Sequence, residues 1–189
     1  MAWGATAVAV SCMPGGAASA NPQHPVPAEV AATLPGARLQ GQARLRVWGF
    51  AVYDARLWTP ADPAAGGAGG TGSAPLALEL QYLRSFTSTQ LADSSLGEMR
   101  KHASIDAADA ARWLQALKNS LPDVQAGDRI TGVNKPGSGA RFYVNGSLKS
   151  EVADPEFARL FFAIWLSPRT SEPAMRDALL GGAGTGAKQ

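Results

Sequence analysis

The sequence predicts an α+β domain, a mostly antiparallel sheet with helices packed on one face. Three observations carry this. Strand-like runs dominate from Ala37 to Leu83, two capped helical segments follow, and an Asn-Gly hairpin then leads into a strongly apolar helix. Each element has its own local signal.

Residues 1–20 read as an export signal. Ala5 to Val10 is a short apolar run, and Ala18-Ser19-Ala20 places small residues where a signal peptidase needs them. No Lys or Arg precedes the run. An Ala/Gly-rich disordered tail is the other reading. Cys12 as a lipoprotein anchor fits poorly, because Ala9 stands where Leu is usual. With the signal removed the chain begins near Asn21, and a periplasmic or secreted protein is expected. Residues 21–36 are a proline-punctuated lead-in, 37–180 the domain, and 181–189 a flexible tail.

Ala37–Gln42, Ala43–Val47 and Phe50–Trp58 read as strands. If they run on continuously, Arg44, Arg46, Trp48, Phe50 and Val52 share one face, and Ala43, Leu45, Val47, Ala51 and Tyr53 the other. A bulge at Gly49 would change the parity after it. Thr59 to Pro75 is a Gly/Pro-rich loop. It is not a phosphate cradle, since it leads to a strand and not into a helix. Leu76, Leu78, Leu80 and Tyr82 alternate with Ala77, Glu79 and Gln81, which predicts a strand with one wet face.

Thr87 with Gln90 is a capping box opening a helix to about Lys101. Asp106 caps a second helix carrying Trp113, Leu114, Leu117 and Leu121, ended by Pro122. Gly127–Asn134 is a strand, and Lys135 to Gly139 a turn. Asn145-Gly146 between Arg141–Val144 and Ser147–Val152 predicts a type I′ hairpin. Asp154-Pro155 opens a core helix with Phe157, Leu160, Phe161, Ile164 and Trp165 on one face. Ser171 to Leu180 is a short last helix.

Several function classes fall away. The net charge is +2, with 17 Lys plus Arg against 15 Asp plus Glu and no basic run, so no nucleic-acid partner is expected. One cysteine permits no intrachain disulfide. His24 and His102, the two histidines, lie far apart and suit no zinc or iron site. No metal or other cofactor is expected. The mature chain has no apolar run of about 18 residues, so it does not span a membrane.

The ordered segments resemble the bacterial chalcone isomerase-like family. They are Leu39-Gln40-Gly41, Phe50-Ala51-Val52-Tyr53-Asp54-Ala55-Arg56-Leu57-Trp58, Leu80-Gln81-Tyr82-Leu83-Arg84, Pro122 through Ile130, Val144-Asn145-Gly146, and Asp154 through Leu166. The resemblance implies an open-faced β-sandwich, in which a large antiparallel sheet is backed by helices with a ligand cleft between them. Some members close a flavanone ring from an enone; others bind fatty acids.

In the isomerases an early-strand arginine holds the substrate phenoxide. The resemblance puts Arg44 or Arg46 near that place and Trp48 at a threonine further along. Leu91 and Glu98 fall at the places of a tyrosine and an asparagine on the first helix. Ile164 falls at a Thr or Ser of the C-terminal helix. Ring closure depends on positioned donors, so these departures argue against it.

The candidate ligand-binding residues are therefore Arg44, Arg46, Trp48 and Tyr53. A guanidinium in the cleft would take a carboxylate in two parallel hydrogen bonds. The competing reading leaves both arginines solvated on the sheet's wet face. Tyr53 and Tyr82 are either cleft hydroxyls or amphipathic core edges. Glu98 and His102, at i and i+4, are either an acid–base pair or a surface pair. A non-catalytic binder of a small amphipathic anion such as a fatty acid is the favoured reading. The alternatives are an isomerase or lyase with a rearranged site, and an interaction domain whose cleft is filled.

Overall fold

The structure, a computed structural model, describes residues 24–61 and 74–182. Cys12, the expected export signal and most of the glycine-rich loop lie outside the described residues. In order, the elements are α1 (Ala28–Thr33), β1 (Arg38–Val47), β2 (Phe50–Thr59), β3 (Leu76–Tyr82), α2 (Ser88–Met99) and α3 (Ala107–Ser120). Then follow β4 (Arg129–Lys135), β5 (Gly139–Val144), β6 (Ser147–Val152), α4 (Pro155–Leu166) and α5 (Pro173–Leu179).

The six strands form one antiparallel sheet in the order β1-β2-β3-β4-β5-β6. This is the predicted α+β architecture. Alternation decides its two faces. Leu76, Leu78, Leu80 and Tyr82 of β3 join Ala55, Leu57, Ile130 and Phe142 in a core shared with α2, α3, α4 and α5. Helix α4 supplies most of the far wall, through Phe157, Leu160, Phe161 and Trp165.

The helix starts form as their residues dictate. Thr87 Oγ1 accepts from the Gln90 amide at 3.2 Å, and Gln90 Oε1 accepts from the Thr87 amide at 2.9 Å. Asp106 caps α3 through the Asp109 amide. Asp154 caps α4 through the Glu156 and Phe157 amides, and its other oxygen accepts from Trp113 Nε1 at 2.8 Å. One carboxylate thus starts α4 and ties it to α3. The Asn145-Gly146 turn has φ of +49° and +87°, as a type I′ hairpin requires.

The structure differs from the sequence expectation in several elements. Residues 38–47 form one strand, not two; its register shifts between Leu39 and Gly41 and between Leu45 and Arg46. Gly49 is no bulge. Trp48 and Gly49, with φ of +50° and +81°, are the two turn residues of the β1–β2 hairpin. The lead-in contains α1, which packs on the face opposite the other helices.

On that opposite face Val30 and Leu34 meet Trp58, Ala77 and Val133 in a second apolar cluster. A buried polar network lies beside it. Glu79 accepts from Arg56 Nη1 and Trp58 Nε1, both at 2.9 Å. Glu29 of α1 accepts from Thr131 Oγ1 at 3.0 Å and pairs with Arg129 at 3.1 Å. These contacts bury the side of β3 that its alternation predicts to be wet. Glu79 and Ala77 are both buried.

Candidate ligand cavity

Between the helix-facing side of the sheet and α2 and α4 lies a cavity of about 520 Å³. That is within the range of small-molecule sites, roughly 300–1,000 Å³. Its floor is Leu45 of β1, Tyr53 of β2, Leu78, Leu80 and Tyr82 of β3, and Ile130 and Gly132 of β4. Its roof is Leu91, Ser95 and Glu98 of α2 with Phe161, Ile164 and Trp165 of α4. At Gly132 the floor has no side chain, and the Phe161 and Phe162 rings pack close over it. The exposed lining residues form the rim: Val47, Trp48 and Phe50 on the hairpin, Arg84, Gln90 and Ser94, and Ser171 and Glu172 ahead of α5.

The polar groups differ in kind. Tyr53 Oη accepts a hydrogen bond from Trp165 Nε1 at 2.9 Å, so its own hydrogen is free to donate. Burial pushes the Tyr53 phenol well above its ordinary range, and burial followed by the neighbouring Tyr53 does the same for Tyr82. Both hydroxyls therefore stay protonated through neutral and mildly alkaline pH. The two rings meet edge to face at 5.9 Å.

Arg84 is the only Lys or Arg among the lining residues, and its guanidinium lies 5.2 Å over the Phe50 ring. Glu98 and Glu172 are the lining carboxylates. Burial acts to raise the Glu98 pKa, but hydrogen bonds from Lys101 and Ser171 outweigh it and hold the carboxyl below its ordinary value.

Of the sequence-predicted site residues, Tyr53 and Trp48 line the cavity. Arg44 and Arg46 do not, and the expectation that one of them reaches into the cleft is corrected. Leu45 and Val47 take the cavity side of β1, so alternation turns Arg44 and Arg46 to the other face. There Arg44 makes a two-bond pair with Asp54, at 2.6 and 2.8 Å. Arg46 Nη1 donates to the Gly49 carbonyl at 3.2 Å.

Glu98 and His102 do not form an acid–base pair. The helix ends at Met99, and both His102 ring nitrogens are buried without a hydrogen-bond partner. Among the described residues no group of three or more His, Cys, Asp or Glu could hold a metal ion.

Sequence reasoning passed over Arg84 as a site residue. Its signal was the β3 parity carried one step on, from Leu80 through Tyr82 to residue 84. Leu91, Glu98 and Ile164 all line the cavity.

A family model described as chalcone isomerase-like matches residues 26–181. The chain belongs to the chalcone isomerase-like family. The family match begins ahead of Ala37, where the sequence places the domain start, and takes in α1. No curated protein matches the chain significantly. Among solved structures it is similar to the crystal structure of a fatty-acid binding protein of Arabidopsis thaliana. The TM-score is 0.60 at 13% identity, covering 78% of this chain and 88% of that one. At that identity the likeness concerns the chalcone isomerase-like fold. No helix among the described residues is long and apolar enough to cross a membrane.

Proposed function

We propose that this chalcone isomerase-like protein is a non-catalytic binder of a small amphipathic anion such as a fatty acid. The observation that carries the reading is the cavity's division of labour: an apolar interior, with one guanidinium, Arg84, at an open rim. The carboxylate would sit at Arg84, where it need not be fully desolvated. The tail would run inward over Leu45, Leu80, Ile130 and Ile164, where apolar burial stabilises it by roughly 0.8 kcal/mol per methylene. The Tyr53 O–H is a further donor, neutral and fixed by Trp165.

Ring closure finds little support in the same lining. Leu91 and Ile164 present no donor, and Glu98 would meet a phenoxide with like charge. Catalysis of that addition needs preorganised donors at the developing charge.

Native mass spectrometry of the purified protein tests the proposal. A lipid-mass adduct that is retained by the wild type and reduced in Arg84→Ala supports it. A wild type that stays free of adduct even after incubation with fatty acid refutes it. A chalcone cyclisation rate clearly above the uncatalysed background would instead establish an enzyme.

A further inference from the structure

Trp48 occupies a turn position that favours Asn, Asp or Gly, because φ must be positive there. Its φ is +50°, and the residue is 94% exposed. A bulky residue held in that region is strained, and such strain persists at sites where the residue serves something other than stability. Asn145 holds the equivalent turn position of the β5–β6 hairpin at φ +49°. The chain therefore builds this turn elsewhere with a residue suited to it. An indole almost fully in water gains nothing from packing in this fold.

Trp48 does not stand alone. Val47 is 44% exposed and Phe50 63% exposed, so three large apolar side chains crowd one tip. The last β2–β3 pair is Tyr53 with Tyr82, whereas the β1–β2 ladder continues to Val47 with Phe50. The tip is thus carried past the edge of the β2–β3 ladder, onto the rim of the cavity. Arg46 bonds the tip's own carbonyl, and Arg84 lies over Phe50. Among the described residues neither forms a salt bridge; Asp54, the acid on the hairpin, is paired with Arg44 and only feels the Arg46 charge. The lining carboxylates, Glu98 in the roof and Glu172 at the rim, come from α2 and from the segment before α5, not from the hairpin.

Tryptophan and phenylalanine settle at the headgroup level of a bilayer, and arginines beside them attract anionic lipid. Resting on the cavity's reading as a site for an amphipathic anion, we infer that the β1–β2 tip docks the protein on an anionic bilayer surface. Docking sets the cavity rim against the leaflet, and the ligand crosses between membrane and cavity there. Val47, Trp48 and Phe50 enter the interface, while Arg46 and Arg84 meet phosphates.

The test floats the full chain with vesicles containing phosphatidylglycerol, and with pure phosphatidylcholine vesicles. The wild type is expected to float with the anionic vesicles, less with the neutral ones, and less again at high salt. Trp48→Asn should lower partitioning about tenfold while its melting temperature holds or rises, since asparagine suits the turn. Trp48→Phe should keep most of the binding. Docking is overturned by a wild type that stays off anionic vesicles, or by Trp48→Asn floating as well as wild type. It is equally overturned by a wild-type dimer that Trp48→Asn converts to monomer, because a second copy then covers the tip. Binding of a dansyl-labelled fatty acid in vesicle-free solution reads the cavity separately. Failure of flotation with probe binding intact sinks the docking alone; failure of the wild type to bind the probe sinks the cavity reading and ligand entry with it.

Discussion

Replacing Arg84 with alanine removes the only Lys or Arg that lines the cavity among the described residues. A charge-assisted hydrogen bond to a desolvated carboxylate is worth roughly 1.5–3 kcal/mol, and a fully exposed ion pair roughly 0–1. Arg84 lies between these limits: it is exposed, yet backed by the Phe50 ring 5.2 Å away. A loss of about 1–1.5 kcal/mol follows, or roughly a five- to tenfold weaker Kd for a fatty-acid anion. Titration of a dansyl-labelled fatty acid measures it. The deficit should shrink toward about 1 M salt, where the screening length falls to about 3 Å. The corresponding methyl ester should bind wild type and Arg84→Ala alike. Arg44→Ala should bind the anion like wild type, because Arg44 is held by Asp54 on the other face. The reasoning is refuted if Arg84→Ala keeps wild-type affinity at low salt, if the ester suffers equally, or if Arg44→Ala weakens binding as much.

Gly41→Ala should be destabilising by about 1–3 kcal/mol, since an added Cβ would collide with the Ala178 and Leu179 carbonyls and push α5 off β1. Thermal melting would show a fall of about 2–4 °C per kcal/mol for a chain of this size. Glu29→Ala should cost about 2 kcal/mol, less than a fully buried pair because the Arg129 side chain is 32% exposed. Pairing it with Thr131→Val in a double-mutant cycle should recover part of that loss; strict additivity would argue against the network. His102 gives a pH dependence. Burial, followed by nearby Arg169, lowers its pKa below the ordinary 6.5, so the unfolded chain takes up the proton first. Stability should be fully present above about pH 6.5 and fall as pH drops below it. A melting curve for His102→Gln that keeps the full wild-type slope between about pH 7.5 and 5.5 would count against this account.

The sequence alone was sufficient wherever the signal is local. Thr87 with Gln90, Asp106, Asp154 and Asn145-Gly146 act on the backbone within a few residues, so their outcome does not depend on the rest of the fold. Period-2 alternation likewise sorted β3 into two faces, and the ordered segments placed the chain in its family.

Alternation says which residues share a face, but not what covers that face. Only the assembled structure decided that Leu45 and Val47 line the cavity and that Arg44 and Arg46 point away from it. The same holds for Arg84, which lies beyond the last residue of its strand. Helix α1 is six residues long, below the length at which a helix persists by itself. It exists because Val30, Leu34 and Glu29 find partners on β2, β3 and β4, which the lead-in sequence does not announce. The cavity, too, is tertiary. It is space left between a sheet floor and a helical roof, and no single segment encodes a gap between two others.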